Sequence, residues 1–273
     1  MIKIDWRYIV LLVLFVSIFL KSTQVMAYNS GFKAPDHERI TQFAIDALKF
    51  SPKTYEAIKS NVYEIKHSNT IEDTGGSPIY HFYNPADFHL DVIPNAKSMA
   101  VDFYNYAKKY YTDGNTVAGW RGIGHALHLL QDMAVPSHVN TAGHMYQSVF
   151  GKSGYEWWVT NNWKAMFSKR DINANGDTTI GPTDLYLDRI FNMSQFNYNI
   201  VAGDMGGYMQ IMSEQTHFGG FPFDYVDGEN AIEVSPFDAE YTAKMLLPMI
   251  VRLGGGLFET FCRDVNCGGP TQP

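Results

Sequence analysis

Apolar side chains recur with helical spacing along most of the chain. In ERITQFAIDALKF (38–50), Ile40, Phe43, Ala44 and Leu48 fall on one face, and Asp36 stands ahead of them as a candidate cap. The same period predicts helices over 96–111, 116–134, 155–167, 183–198 and 235–262. No repeats and no convincing strand pairs interrupt this pattern, which therefore predicts an all-α fold, a single multi-helix domain.

Prolines and polar stretches set the predicted boundaries. Pro136 must stop or bend the helix over 116–134, since it lacks a backbone donor. In the last helix Ser235 is a candidate cap, Pro236 suits the first turn, and Pro248 predicts a kink. Long polar loops are expected over 66–95, 139–154 and 217–234.

The N-terminus carries an apolar run, YIVLLVLFVSIFL (8–20), between Arg7 and Lys21. Thirteen helical residues reach about 20 Å, short of the roughly 30 Å hydrocarbon core. The residues VMA (25–27) suit a cleavage site, so 1–27 is predicted to be a signal peptide cut after Ala27. The mature domain would be 28–273, secreted or periplasmic. An uncleaved membrane anchor is the alternative.

The net charge bears on which partners the protein can bind, and the cysteines bear on whether it contains a disulfide. The formal net charge of −7 becomes −9 once 1–27 is removed, because three basic residues and one acidic residue leave. Such a surface argues against tight non-specific binding of nucleic acid. The two cysteines, Cys262 and Cys267, are expected to form a small-loop disulfide in an exported protein; two free thiols are the alternative.

The stretch DINANGDTTIGPTD (171–184) spaces oxygen ligands as a calcium loop does. Asp171, Asn173, Asn175 and Asp177 could bind Ca²⁺, but Pro182 occupies the place of the final acidic ligand. An Asx-rich surface turn is the favoured interpretation, and a Ca²⁺ site is the weaker one.

Metal-ligand chemistry concentrates in HLLQDMAVPSH (128–138). His128 and Asp132 are four residues apart, so they share a helix face, and His138 follows the bend at Pro136. Imidazole with carboxylate suits Zn²⁺. The alternative is a buried His–Asp pair at a helix end. His125 lies on the same face and is expected to orient a ligand or pack beside one.

This stretch fits H-x-x-x-D-x-x-x-P-x-H, and it resembles the bacterial zinc-dependent phospholipases C, whose fold is similar to that of the fungal zinc-dependent nucleases. Three further blocks are similar to that family and follow its order: 37–48, 71–85 and 144–159. Leu129 and Gln131 depart from the family, which usually has Tyr at the first position and Gly or Thr at the second.

The resemblance implies three zinc ions. The first would be held by Asp73, His81, His128 and Asp132, the second by His138, His144 and Glu156, and the third by His37, a bridging Asp132 and the main-chain atoms of Tyr28. Glu72 competes with Asp73 for the acidic role. The twelve-residue separation of His144 and Glu156 leaves open which group completes the second site.

The implied activity is phospholipase C hydrolysis of a phospholipid, with Asp73 as the general base and transient contact with a membrane surface. Six aromatic residues could form an apolar rim at the site, although core packing is the simpler explanation for most of them: Tyr80, Phe82, Tyr83, Phe88, Tyr155 and Trp157. A nuclease or other phosphoesterase, with nucleic acid the less favoured substrate, and a non-catalytic metal-binding protein are the alternatives.

Cleavage after Ala27 is predicted to complete the third metal site. The α-amino group of Tyr28 can bind a metal only after it has been released and deprotonated. The mature protein should therefore hold one more zinc ion per chain than the precursor, which elemental analysis of both forms would measure. Equal metal content in the two forms would contradict this.

Overall fold

The computed structural model describes residues 34–48, 51–75, 78–86, 95–140, 155, 158–159, 171–172, 178–179, 201–221, 226–227, 230–231 and 236–267. Its helices are α1 (Ala34–Ala47), α2 (Pro52–Lys59), α3 (Val62–Gly75), α4 (Ala96–Thr112), α5 (Thr116–Asp132), α6 (Pro136–Val139), α7 (Met205–Phe218) and α8 (Pro236–Asp264), with a 3₁₀ turn at Pro78–His81. Two antiparallel pairs of two-residue strands join Asp171–Ile172 to Thr178–Thr179 and Val226–Asp227 to Asn230–Ala231. The predicted all-α class is confirmed.

Helix α5 lies at the centre of the described fold. It packs against α3 and α4 along its length and also contacts α1, α7 and α8. Its large apolar residues from Trp120 onward, among them Ile123, Leu127 and Leu130, are almost fully buried. Because neighbours surround it, its polar residues near Asp132 are also forced into the interior.

Helix α8 forms a second buried layer against α1 and α5. Gly254 permits close approach, since a Cβ there would lie 3.0 Å from Ala44 Cβ and 3.3 Å from Leu127 Cδ1. The helix begins at Pro236, as expected, and continues through Pro248. Within the described ranges, Asp238–Asp264 is long and apolar enough to cross a membrane, but 72% of its most apolar window is buried inside the fold.

The prediction of a loop over 66–95 is wrong for its first part, because α3 extends to Gly75 and carries Asp73 in its last turn. The buried face of α3 consists of Ile65, Ser68, Asn69 and Glu72. These positions have helical spacing, but three of the four are polar, so the apolar pattern conceals the helix. Helices α2 and α7 were also not predicted.

Side-chain caps explain several helix starts. Asn95 and Ser98 form a reciprocal capping box at α4, Asn115 accepts from Ala118 N at α5, and Asp204 accepts from Gly207 N at α7. Asp36, expected as a cap, lies instead within the first turn of α1, near Arg39. Pro136 ends the long helix as predicted, and it opens α6.

A polar contact joins α4 to the end of α8. Asp264 Oδ2 accepts from Tyr104 OH and Lys108 Nζ, each at 3.0 Å. Burial raises the pKa of Asp264, but the bonds from Lys108 and Tyr104 outweigh it and lower that pKa overall. The ionised Asp264 carboxylate therefore stabilises the fold at a pH above the usual aspartate pKa. This stabilisation is lost as the pH falls through the lowered pKa of Asp264. The predicted Cys262–Cys267 disulfide closes the same end.

Some predicted segments lie outside the described residues. These are the helix over 183–198, most of the helix over 155–167 and most of the loop over 139–154, of which Val139 and Asn140 are described and Val139 is helical. At 171–184, the backbone of Asp171–Ile172 pairs with Thr178–Thr179 as a hairpin, while the side chains lie outside the description. The Ca²⁺ site there stays a prediction, as does the division of the chain into 1–27 and 28–273.

Helix α5 lies close against α3 at Gly124. A Cβ at this position would lie 2.1 Å from Ser68 Oγ and 2.4 Å from the backbone oxygen of Ile65. Gly124→Ala should therefore lower the free energy of unfolding by about 3 kcal/mol, despite the better helix propensity of alanine. Urea denaturation would measure this. Gly203→Ala is the matched control, because nothing lies within 4 Å of its added Cβ, and an equal effect in both variants would contradict the clash.

Candidate metal centre

The centre is built on the last turn of α5. His128 and Asp132 are both buried there, and His128 Nε2 lies 3.4 Å from Asp132 Oδ2. The four-residue spacing thus places the two groups on one helix face, as the sequence predicted. The other ring nitrogen of His128, Nδ1, lies 2.8 Å from the backbone oxygen of Asn69 on α3.

His81 enters from the 3₁₀ turn that follows α3. Its Nδ1 lies 2.6 Å from Asp132 Oδ2 and 3.3 Å from His128 Nε2. His81, His128 and Asp132 therefore meet, three of the four groups predicted for the first zinc. The fourth, Asp73, belongs to the last turn of α3 by its backbone, and its side chain lies outside the described atoms.

His37 reaches the same carboxylate from α1. Its Nε2 lies 3.6 Å from Asp132 Oδ1, and its ring stacks on that of His128 with centroids 4.1 Å apart. His37, His128 and Asp132 together form a buried group whose ligand atoms lie within 4.8 Å of one another. This juxtaposition links residues that are more than ninety positions apart in the sequence.

His138 is delivered by α6, directly after the bend at Pro136. Its Nδ1 lies 3.7 Å from Asp132 Oδ1, whereas His81 and His128 lie beside Oδ2. The backbone oxygen of His138 accepts from Tyr83 N at 3.2 Å, which ties α6 to the segment carrying His81. The two oxygens of Asp132 thus face different histidines, an arrangement that suits a bridging carboxylate.

The spacing of these atoms fits a tetrahedral ion. Zinc bonds of about 2.0–2.2 Å hold neighbouring ligand atoms about 3.3–3.6 Å apart. The separations of 3.3, 3.4 and 3.6 Å fall in that range, and 3.7 Å lies just above it. The 2.6 Å His81–Asp132 contact is a hydrogen bond that would have to open, as would the longer one between His81 Nδ1 and His128 Nε2. Buried imidazole nitrogens around one carboxylate are also the donor set that zinc prefers.

Electrostatics keep Asp132 ionised. Burial alone raises the pKa of its carboxyl group, but the charges of His128, His138 and His81 and a hydrogen bond from His128 outweigh burial. The pKa of Asp132 is therefore held well below its ordinary value. An ionised carboxylate is the form that binds a metal.

Two buried amides at this centre were not predicted to have a role. Gln131 Oε1 lies 2.7 Å from His37 Nδ1, and Asn69 Nδ2 lies 3.2 Å from the same oxygen. In the sequence, Gln131 is distinguished only as a departure from the family pattern, and no motif includes Asn69. The helical spacing of Asn69 with Ile65 and Glu72 was the one signal that could have found it.

Glu72 and His125 pair with each other beside the centre. The Glu72 carboxylate contacts His125 Nδ1, and the His125 ring stacks on Phe103 with centroids 5.0 Å apart. Glu72 therefore has His125 as a partner, and the choice between Asp73 and Glu72 for the acidic role stays open. The contacts described for His125 are with Glu72 and Phe103, and the expectation that it orients a ligand or packs beside one stays a prediction.

Other predicted residues are only partly described. Tyr28, His144 and Glu156 lie outside the described residues, as do Phe88 and Trp157 of the expected aromatic rim. Tyr83 and Tyr155 are buried in the core, so the core-packing alternative holds for these two. Tyr80 and Phe82 are partly buried.

Comparison with known proteins bears on the fold. No protein-family model matches the sequence, and no curated protein matches it. The alpha-toxin of Clostridium perfringens from an avian strain is similar in structure, with a TM-score of 0.56, 16% identity, and 90% of this chain and 68% of that chain covered. The alpha toxin of Clostridium absonum is also similar in structure, with a TM-score of 0.55 and 18% identity. The match covers 85% of this chain and 64% of that chain.

The chain spans about two thirds of the length of these toxins. At this level of identity the likeness establishes the fold alone. It confirms the all-α fold that the resemblance to zinc-dependent phospholipases C implied. The centre around Asp132 lies within that fold, and its buried His37–His128–Asp132 group could hold a metal ion.

Asp73 and Glu72 can be distinguished by substitution. Asp73→Asn is expected to lower zinc affinity, whereas Glu72→Gln should keep the affinity and lose about 1 kcal/mol of stability with the His125 contact. Chelator competition would measure the first effect and urea denaturation the second. Weaker zinc binding in Glu72→Gln alone would assign the acidic role to Glu72.

Proposed function

We propose that this chain is an exported zinc-dependent phosphodiesterase, a phospholipase C that hydrolyses phospholipid to diacylglycerol and a phosphorylated headgroup. The observation that supports this most directly is the buried Asp132 carboxylate, whose two oxygens face separate histidines in an alpha-toxin-like fold. Cleavage near Ala27 would release the protein to the periplasm or the medium.

The described residues divide between the two carboxylate oxygens. His81 and His128 lie beside Oδ2 and would bind the first zinc with Asp73. His37 lies beside Oδ1 and would share Asp132 with the main-chain atoms of Tyr28 in the third site. His138 also lies beside Oδ1 and would belong to the second site with His144 and Glu156.

Zinc ions in these positions would neutralise phosphate oxygens, lower the pKa of a bound water and stabilise the leaving oxygen of an in-line displacement. The protein supports this by burying the imidazoles, which excludes competing water from them, and by keeping Asp132 ionised. Asp73 would accept the proton of the attacking water. Asp73 follows Glu72 in the last turn of α3, and we expect its carboxylate to reach the first zinc from there.

The overall charge favours a lipid over a nucleic acid. The formal net charge is −7, so binding of polyanionic DNA would have to overcome long-range repulsion. A phosphodiester in a zwitterionic lipid carries no such penalty. The substrate would approach from a membrane surface with which the enzyme makes transient contact.

The metal-loaded protein from residue 28 onward is expected to hydrolyse phosphatidylcholine and to leave single-stranded DNA intact. His128→Ala should lower phosphatidylcholine turnover by about 100-fold or more, because it removes a zinc ligand. Release of phosphocholine and loss of intact DNA are the two measurements.

The matched control is His67→Ala, since His67 is an exposed histidine on α3 that stacks on Tyr63. It should keep wild-type turnover. Cleavage of DNA without lipid hydrolysis would indicate the nuclease alternative. No turnover of either substrate with zinc bound would overturn the enzymatic proposal and favour a metal-binding protein.

A further inference from the structure

The Gln131 side-chain amide joins three helices at the edge of the metal centre. Its oxygen lies 2.7 Å from His37 Nδ1 on α1 and 3.2 Å from Asn69 Nδ2 on α3. Its nitrogen donates to Thr41 Oγ1, one turn after His37 on α1, at 3.0 Å. Gln131, Asn69, Thr41 and His37 are all buried, so water does not replace these bonds.

The backbone carbonyl of Gly124 determines which groups donate and which accept in this series of hydrogen bonds. The Gly124 oxygen can only accept, and it lies 3.3 Å from Asn69 Nδ2, so the Asn69 NH₂ group must face it. The same NH₂ group faces the Gln131 amide, which must therefore present its oxygen. That oxygen in turn requires a proton on His37 Nδ1.

We propose that Asn69 and Gln131 are positioning residues that fix His37 in the Nδ1–H tautomer, with Nε2 as its metal-binding nitrogen. His37 Nε2 is the ring atom that faces Asp132 Oδ1. The inference rests on the proposed function, because zinc is the ion that His37 would bind. A ligand histidine is commonly fixed in this way by the partner of its other nitrogen.

Asn69 also contacts His128, through its backbone oxygen and not through its side chain. Its backbone oxygen lies 2.8 Å from His128 Nδ1 and fixes the same tautomer there. One residue of α3 therefore orients two rings from two other helices. Because the bond to His128 comes from the backbone, a side-chain substitution at Asn69 releases His37 and leaves His128 held. His128 thus supplies an internal reference.

Nitrogen-15 NMR of the histidine rings tests the assignment in zinc-free protein, at a pH at which the rings are neutral. Wild type should show His37 and His128 protonated at Nδ1. In Asn69→Ala, His37 should shift toward the Nε2–H form that free imidazole favours, whereas His128 stays unchanged. Wild-type His37 protonated at Nε2 would overturn the proposal without any substitution, so a variant that fails to fold leaves the test intact.

Zinc affinity, measured by chelator competition, provides the second readout. Gln131→Met should weaken zinc binding by about 10–100-fold, because it removes the acceptor of His37 Nδ1. Thr41→Val is the matched control, since it removes the other buried bond of the same amide without freeing its orientation. It should keep near wild-type affinity and the Nδ1–H form of His37.

An equal loss of affinity in Thr41→Val and Gln131→Met would reduce Gln131 to a structural role and overturn the proposal. Neither readout depends on turnover. A protein that binds zinc and hydrolyses no phosphodiester would therefore contradict the proposed function and leave the tautomer assignment standing.

Discussion

A charged carboxylate buried at the end of a central helix is the constraint on which the rest of the structure depends. Asp132 is almost completely buried, and an isolated ionised group there would be strongly unfavourable. The fold meets this by bringing imidazoles from α1, α5, α6 and the 3₁₀ turn to its two oxygens. Because these segments come from distant parts of the chain, their packing is specified by polar contacts as well as by apolar burial.

The apolar and polar halves of α5 therefore have different roles. Toward its start, Trp120 packs with Phe261 of α8, their ring centroids 5.1 Å apart, in an ordinary aromatic core. Toward its end, almost every buried polar atom of Gln131, His128 and Asp132 has a named partner on another helix. The aromatic core and the group that could bind a metal thus lie on one helix, with the close contact at Gly124 between them.

Sequence reasoning found what local spacing determines. His128, Asp132 and His138 lie within eleven residues, so helix geometry and Pro136 sufficed to bring them together. His37 and His81 required the family resemblance, because no spacing rule links residues so far apart. Helix α3 could not be found from apolar periodicity, since its buried face is Ser68, Asn69 and Glu72 around a single Ile65. Asn69 was missed for the same reason, because its importance depends on partners in α5.

The backbone hydrogen bond from Tyr83 N to His138 O joins the segment that carries His81 to the helix that carries His138. His81 precedes Tyr83 by two residues, so an ion that immobilises His81 also restricts the segment that presents His138. A second ion, if the centre binds more than one, would then find its ligands already partly ordered and would have less conformational entropy to remove. Metal loading of such a centre is expected to be cooperative, with intermediate occupancies sparsely populated.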